Sequence, residues 1–345
     1  MNLREIANRV GVSAATVSLV RNHKKGVGDA KRKEIAQLLT ENGYSIAQTD
    51  ADERSVNRSI RFLKYATHAK LVNANPGFVS TIIDAIESEC RKNRYELVIA
   101  NVSSVDELRK QVMESQSSGF LLLGTELADS DIDILDEIEK PIVIVDNDVA
   151  RLNCPAITMN NKAAIFGAVK HLCDLGHRQI GFLSNRLPSS NCEARRIAYI
   201  EAMQHAGLPE RIYPVNMTMD GAHDSIHAML EQGVQFPPAI IANNDSIAVG
   251  TISAFNEAGL RVPQDISVVG FDDIPFAKAF SPSLTTVSVP CAEIGEHSVD
   301  MLIRRMHNPT AIPAKEYYGT RLIVRGSTIQ AGMGRNHRNL MKTDL

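Results

Sequence analysis

Hydroxyl groups and cations crowd the first 49 residues. Ser13, Thr16 and Ser18 follow a turn at Gly11, and eight Lys and Arg stand there against four acids, a net charge of +4. The whole chain carries −3, so the remaining residues hold −7. A basic head on an acidic body points to a head that meets a polyanion. A helix that starts at Ser13 and Thr16 offers hydroxyls and N-terminal N–H groups to phosphates. Ala14 and Ala15 keep that helix narrow at its start, where a backbone can press close to DNA.

Residue sets for bond-breaking chemistry are sparse. His223 and His227 stand four apart with Asp224 between them. This loosely echoes the helical zinc motif HExxH, in which two histidines share one helical face. The acid here is Asp and no third ligand stands out, so a solvated helix face is the expectation and no metal is assigned. There is no GxSxG elbow, no Walker loop and no GxGxxG. His177 reads as a residue of an α–β connection, and no cofactor is expected. The odd, scattered cysteines Cys90, Cys154, Cys173, Cys192 and Cys291 contain no CxxC and suit reduced thiols in a cytosolic protein. Arg4, Glu5 and Arg9 speak against a signal peptide. No apolar run reaches the roughly 20 residues that span a bilayer. The expectation is a cytoplasmic protein with no membrane contact.

The elements that must position these groups follow from periodicity. Ile6, Val10 and Gly11 predict a first helix, and Ser13 is an N-cap for a second that turns Val17 and Val20 inward. A third starts near Asp29 as N-cap, buries Ile35, Leu38 and Leu39, and stops at Gly43, with Tyr44 closing the small core. The stretch 45–58 is polar and acidic. Behind it, apolar runs at 59–65, 96–102, 119–123, 141–145, 179–184, 239–242 and 267–271 alternate with amphipathic stretches at 79–93, 165–175, 195–206, 246–258 and 294–306. Apolar strands followed by helices argue for parallel sheets covered on both faces. Two rounds of the pattern predict an α/β body of two Rossmann-like lobes, with a ligand cleft beyond the carboxyl ends of their strands.

The run REIANRVGVSAATVSLVRN…VGDAKRKEIAQLLTENGY resembles the DNA-binding head of the LacI/GalR family of bacterial transcription regulators, without a gap. HLCDLGHRQIGFLS, ANNDSIAVG, VPQDISVVGFDDIPFAKAFSPSLTTVSVP and RLIVRGST resemble that family's effector core, which is similar to periplasmic sugar-binding proteins. The resemblance implies a helix-turn-helix domain over 1–49 and an effector-binding body over 59–330. Within the body, lobe 1 would take about 59–159 and 289–319, and lobe 2 about 160–288 and 320–330. The stretch 50–58 lacks the leucine that wedges into the minor groove in many members, so a non-inserting linker is expected. Residues 331–345 lack leucine heptads, and a disordered tail without a tetramerisation helix is expected.

Site residues follow from the same resemblance. Ala14, Ala15 and Leu19 fall at base-reading positions, Ser13, Thr16 and Ser18 at phosphate and framework positions, and Asn22 or Arg21 can substitute as readers. Two alanines and a leucine touch thymine methyls but cannot bond guanine in bidentate fashion. In the body, Arg196 of ARRIAYI matches the arginine that grips the ligand, with Arg195 beside it as a surface charge. Asp272 of VVGFDD matches the ligand-accepting aspartate, with Asp273 as its solvated neighbour. Asn244, Asp146 and Phe78 complete the effector set. The stretch 216–220 lacks the aromatic that commonly stacks on the effector ring. The implied partners are double-stranded operator DNA, a small polar effector such as a sugar, and a second copy in a homodimer acting as a repressor. The rivals are a cytosolic binding protein with no regulatory task and, less favoured, a metalloenzyme using His223 and His227.

Overall fold

The computed structural model describes residues 2–22, 24, 26–42, 44, 58–67, 76–148, 151, 153–187 and 189–333. It divides into two compact units, residues 1–57 and 58–345.

The first unit is built from α1 (Leu3–Val10), α2 (Ala14–Arg21) and α3 (Asp29–Glu41). Asn2 and Glu5 cap α1 reciprocally, each side chain meeting the other's backbone N–H, and this satisfies donors that a helix start leaves unpaired. Gly11 takes φ +70° and turns the chain out of α1, a conformation in which a Cβ is strained. The α3 cap is a correction. Gly28 holds the N-cap position without a side-chain bond, and Asp29 is the first helical residue, where its charge favours the helix dipole. Ile6, Ala7, Val10, Val17, Val20, Ile35 and Leu39 form the buried core. Leu38, expected inside, and Tyr44 pack at its edge, partly buried. Gly43 and most of the 50–58 stretch lie outside the described residues, as does the tail beyond 333.

The second unit carries two six-stranded sheets. β1 (Ser59–Tyr65), α4 (Pro76–Lys92), β2 (Glu96–Val102), α5 (Val105–Met113), β3 (Gly119–Leu123), β4 (Ile142–Val145) and β5 (Ala156–Met159) open the first. The chain then builds the second with α6 (Asn161–Asp174), β6 (Ile180–Asn185), α7 (Ser190–His205), β7 (Ile212–Val215), α8 (Met219–Glu231), β8 (Ala239–Ala242), α9 (Asp245–Glu257), β9 (Ser267–Asp272), α10 (Pro275–Ala279) and β10 (Thr285–Ser288). It returns to the first sheet through α11 (Cys291–His307) and β11 (Lys315–Tyr318), and ends in the second with β12 (Arg321–Ile323). The strand orders are β11-β5-β4-β3-β1-β2 and β12-β10-β9-β8-β6-β7. All pairings are parallel except β10 with β12.

The physical reason is legible in the strands. β3, β4 and β8 are buried at every position, as strands covered by helices on both faces must be. Among the described residues the chain passes between the sheets at three places, near 160, 289 and 320. The carboxyl ends of β3, β4, β6, β8 and β9 converge between the lobes. That is where an open α/β sheet binds ligand. One close approach fixes the floor of this region: a Cβ at Gly270 in β9 would collide with the Asp245 carboxylate of α9.

Candidate functional site

A cavity of about 50 Å³ lies between the lobes. Phe78, Thr125 and Asp146 line it from the first lobe; Asn191, Arg195, Met217, Asn244 and Asp272 line it from the second. A wider cavity of about 440 Å³ adjoins it, and Phe78 and Asp272 border both.

Arg195 sits at the centre, 6% exposed, with its guanidinium 3.8 Å over the Phe271 ring. Nε donates to Asn161 Oδ1 at 2.9 Å and Nη1 to the Asn243 carbonyl at 2.7 Å. These bonds hold the fork rigid at the cavity wall. Asp146, at the end of β4, accepts from Thr125 Oγ1 at 2.6 Å and from Asn191 Nδ2 at 2.7 Å. It and Asp272 adopt φ of +63° and +110°. Such backbone costs about 1–3 kcal/mol for a residue other than glycine and persists where the surroundings hold it. The strain aims both carboxylates into the cleft.

Burial pushes the Asp272 carboxyl up to about 7, against the opposing pull of Arg195, with the Asp146 charge adding to the rise. Burial likewise pushes Asp146 up to about 6, countered by Thr125, Arg195 and Asn191, with Asp148 adding to the rise. Both carboxyls therefore bind a proton more tightly in the fold than in the unfolded chain. Their protonation adds stability that is fully present below the usual carboxylate range and is lost as pH rises through about 6 to 7. Thermal melting of the ligand-free protein should thus show a gain from this pair on going from pH 8 to pH 6. Affinity for a hydroxyl-donating ligand should fall over the same interval, approaching tenfold per pH unit once a proton must leave. Calorimetric titration across pH 5.5–8 checks this, and a flat affinity would exclude the two carboxylates as acceptors.

The arginine assignment must be corrected. Arg196 lies outside the cavity, side chain 34% exposed, and pairs with Glu193 on its own helix at 2.6 Å. Arg195, read as a surface charge, is the one in the cleft. The reason is helix phase: Asn191, Arg195, Ala198, Tyr199 and Ala202 form the buried stripe of α7. That stripe was the available signal, since Ala198, Tyr199 and Ala202 mark the inward face. Asp273 is corrected too. It is half-buried and pairs with Arg325 at 2.7 Å. Asn244 lines the cavity while its side chain caps α9, accepting from the Ile247 N–H. Phe78, Asp146 and Asp272 stand in the cleft. Asn191, Thr125 and Asn161 were missed, because nothing local marks them. His177 is buried, its Nε2 on the Ile329 carbonyl at 2.9 Å, and burial lowers its pKa. His223 bonds Glu257 across α8 and α9 at 2.9 Å. No group of three or more His, Cys, Asp or Glu suited to a metal occurs among the described residues.

In the head, Ala14, Ala15, Ser18 and Asn22 are exposed along α2, while Thr16 and Leu19 are half-buried. Ser13 caps the helix, its Oγ accepting from the Thr16 N–H at 3.1 Å and meeting Thr16 Oγ1 at 2.9 Å. Asn22 Nδ2 donates to Ser18 Oγ at 3.3 Å. One polar, small-residue face of α2 is thus left uncovered by its own unit.

Comparison with known proteins agrees with both units. The model of bacterial regulatory proteins of the lacI family matches residues 2–45, and that of a periplasmic binding protein-like domain matches 169–328. The ribose operon repressor of Haemophilus influenzae is 32% identical over 316 residues, covering 89% of this chain and 92% of the relative. The chain belongs to the LacI family. It is an effector-controlled, DNA-binding transcription regulator. The HTH-type transcriptional repressor PurR of Vibrio atlanticus is 30% identical over 319 residues, covering 88% and 91% of the two chains. In fold, a lac repressor dimer bound to operator and the anti-inducer ONPF aligns at a TM-score of 0.71, 24% identical, over 95% of this chain and 99% of that one. No described helix of this regulator is long and apolar enough to cross a membrane.

Proposed function

We propose that this regulator is a cytoplasmic repressor whose effector is a small, neutral, polyhydroxylated molecule of free-sugar type. The observation that carries the reading is one arginine, Arg195, facing two carboxylates, Asp146 and Asp272, with Asn191 and Asn244 beside them. Carboxylates accept from hydroxyls and a guanidinium donates to them, so the set suits alternating donors and acceptors on a polyol. An anionic ligand would face two acids for one base in a dry site, which is costly. Met217 stands where a ring-stacking aromatic would be, which favours a small ligand. The relative named as a ribose operon repressor supports a pentose. The ligand contacts would be Phe78, Asp146, Asn191, Arg195, Asn244 and Asp272, serving binding and not bond cleavage. Calorimetry with D-ribose against ribose 5-phosphate tests this, and tighter binding of the phosphate would overturn it.

For the head, residues 1–49, the DNA contacts would be Ser13, Ala14, Ala15, Thr16, Ser18, Leu19 and Asn22, with α2 in the major groove and two heads of a homodimer on a near-palindromic operator. The body, 59–330, would follow a linker at 50–58. Operator affinity should fall with salt at a log–log slope of about −0.9 per phosphate neutralised. A gel-shift series from low to high salt measures it, and a zero slope would remove the DNA assignment.

A further inference from the structure

A chain of hydrogen bonds joins the lobes beside the cavity, and three of its members, Asp148, Ser190 and Asn161, do not line it. Asp148, just past β4 in the first lobe, donates its backbone N–H to Ser190 Oγ on α7 at 3.0 Å. Its Oδ2 accepts from Asn161 Nδ2 at 3.2 Å. Asn161 is the first residue of α6, directly after the chain's first passage between lobes, and is 1% exposed. The same Nδ2 donates to Asn191 Oδ1 at 2.8 Å, and Asn161 Oδ1 accepts from Arg195 Nε at 2.9 Å. Both amide hydrogens and the carbonyl oxygen of Asn161 are thereby used. A buried amide so satisfied holds its neighbours in one geometry, and leaving part of it unpaired is costly. Thr158 Oγ1 in β5 adds a bond to Asn191 Oδ1 at 3.3 Å.

Parting the lobes must break the Asp148–Ser190 and Asp148–Asn161 bonds together with the Asn191–Asp146 bond. We propose that Asp148 and Asn161 form a latch that sets how readily the cleft opens, and so how long an effector stays, without touching the effector. Both are positioning residues: they act through Arg195 and Asn191. Burial pushes the Asp148 carboxyl up, and hydrogen bonds from Asn161 and Tyr317 only partly oppose the rise. The proposal rests on the cleft being the effector site.

The test is hydrogen exchange on the ligand-free, full-length protein. Asp148→Ala removes the acceptor. Asn161→Asp keeps the Arg195 bond but sets two carboxylates against each other. Each is expected to speed exchange in segments 142–148 and 189–195 by roughly tenfold, the factor of about one net hydrogen bond. The exchange pair Asp148→Asn with Asn161→Asp reverses donor and acceptor across the same gap but leaves a carboxylate oxygen against Asn191 Oδ1, so its exchange should fall between that of Asn161→Asp and that of the wild type. Strands β6 and β9 should exchange as in the wild type in all variants. The idea is overturned if the single variants exchange as the wild type, if the pair exchanges no slower than Asn161→Asp, or if β6 and β9 accelerate equally, which would mean support of the whole fold. In the same variants the D-ribose dissociation rate should rise in parallel. Should D-ribose not bind the wild type, the polyol reading fails while the ligand-free exchange still decides the latch.

Discussion

Replacing Arg195 by Ala is expected to abolish the response to effector while operator binding persists. The guanidinium is buried, holds Asn161 and Asn243, lies on Phe271 and faces Asp146 and Asp272. Removing one partner of a buried, hydrogen-bonded charge set costs roughly 2–5 kcal/mol of binding. That is about 30-fold or more in affinity. Part of the cost is the carboxylate pair left without its cation, so melting temperature should fall as well. Arg195→Lys keeps the charge but loses the planar fork, and should recover stability better than affinity. Arg196→Ala is the control. Its ion pair with Glu193 is exposed and within one helix turn, worth about 0.3–0.5 kcal/mol. Calorimetry on the three variants, with gel-shift for operator, decides. A full effector response in Arg195→Ala, or its loss in Arg196→Ala, would reverse the site as drawn.

Leu39→Ala should remove operator binding by unfolding the head while the body still binds effector. Leu39 is fully buried among Ile6, Val17, Val20 and Ile35. Truncating such a leucine costs about 2–5 kcal/mol through lost transfer energy and the cavity left behind. Small domains bury a lower fraction of their surface and have little stability to spare. Lys33→Ala on the exposed face of the same helix should change stability by no more than about 0.5 kcal/mol. Helical signal and gel-shift read the head; effector calorimetry reads the body. Retained operator binding in Leu39→Ala at full helical content would show that the head's stability comes from elsewhere.

What the residues determined alone is the kind of molecule. Gly11, Ser13 and the inward Val17 and Val20 specify the head, because caps and apolar spacing act within a few residues. Apolar runs mark β3, β4, β6, β8 and β9, because a strand covered on both faces is apolar along most of its length; in β1 the run is broken by Arg61 and Lys64. What tertiary structure decided is finer. β7, β11 and β12 are short edge strands, one carrying Pro214, and only pairing defines them. β5 and β10 match β4 and β8 in length, four residues each, but Thr158, Thr285, Thr286 and Ser288 break their apolar run. Asn161 and Asn191 gain meaning only when two lobes bring α6 and α7 against β4. The choice between Arg195 and Arg196 rests on about 100° of helix phase. Adjacent residues of one type are alike to a reader of sequence, and only the buried stripe of α7 tells which of the two faces the cleft.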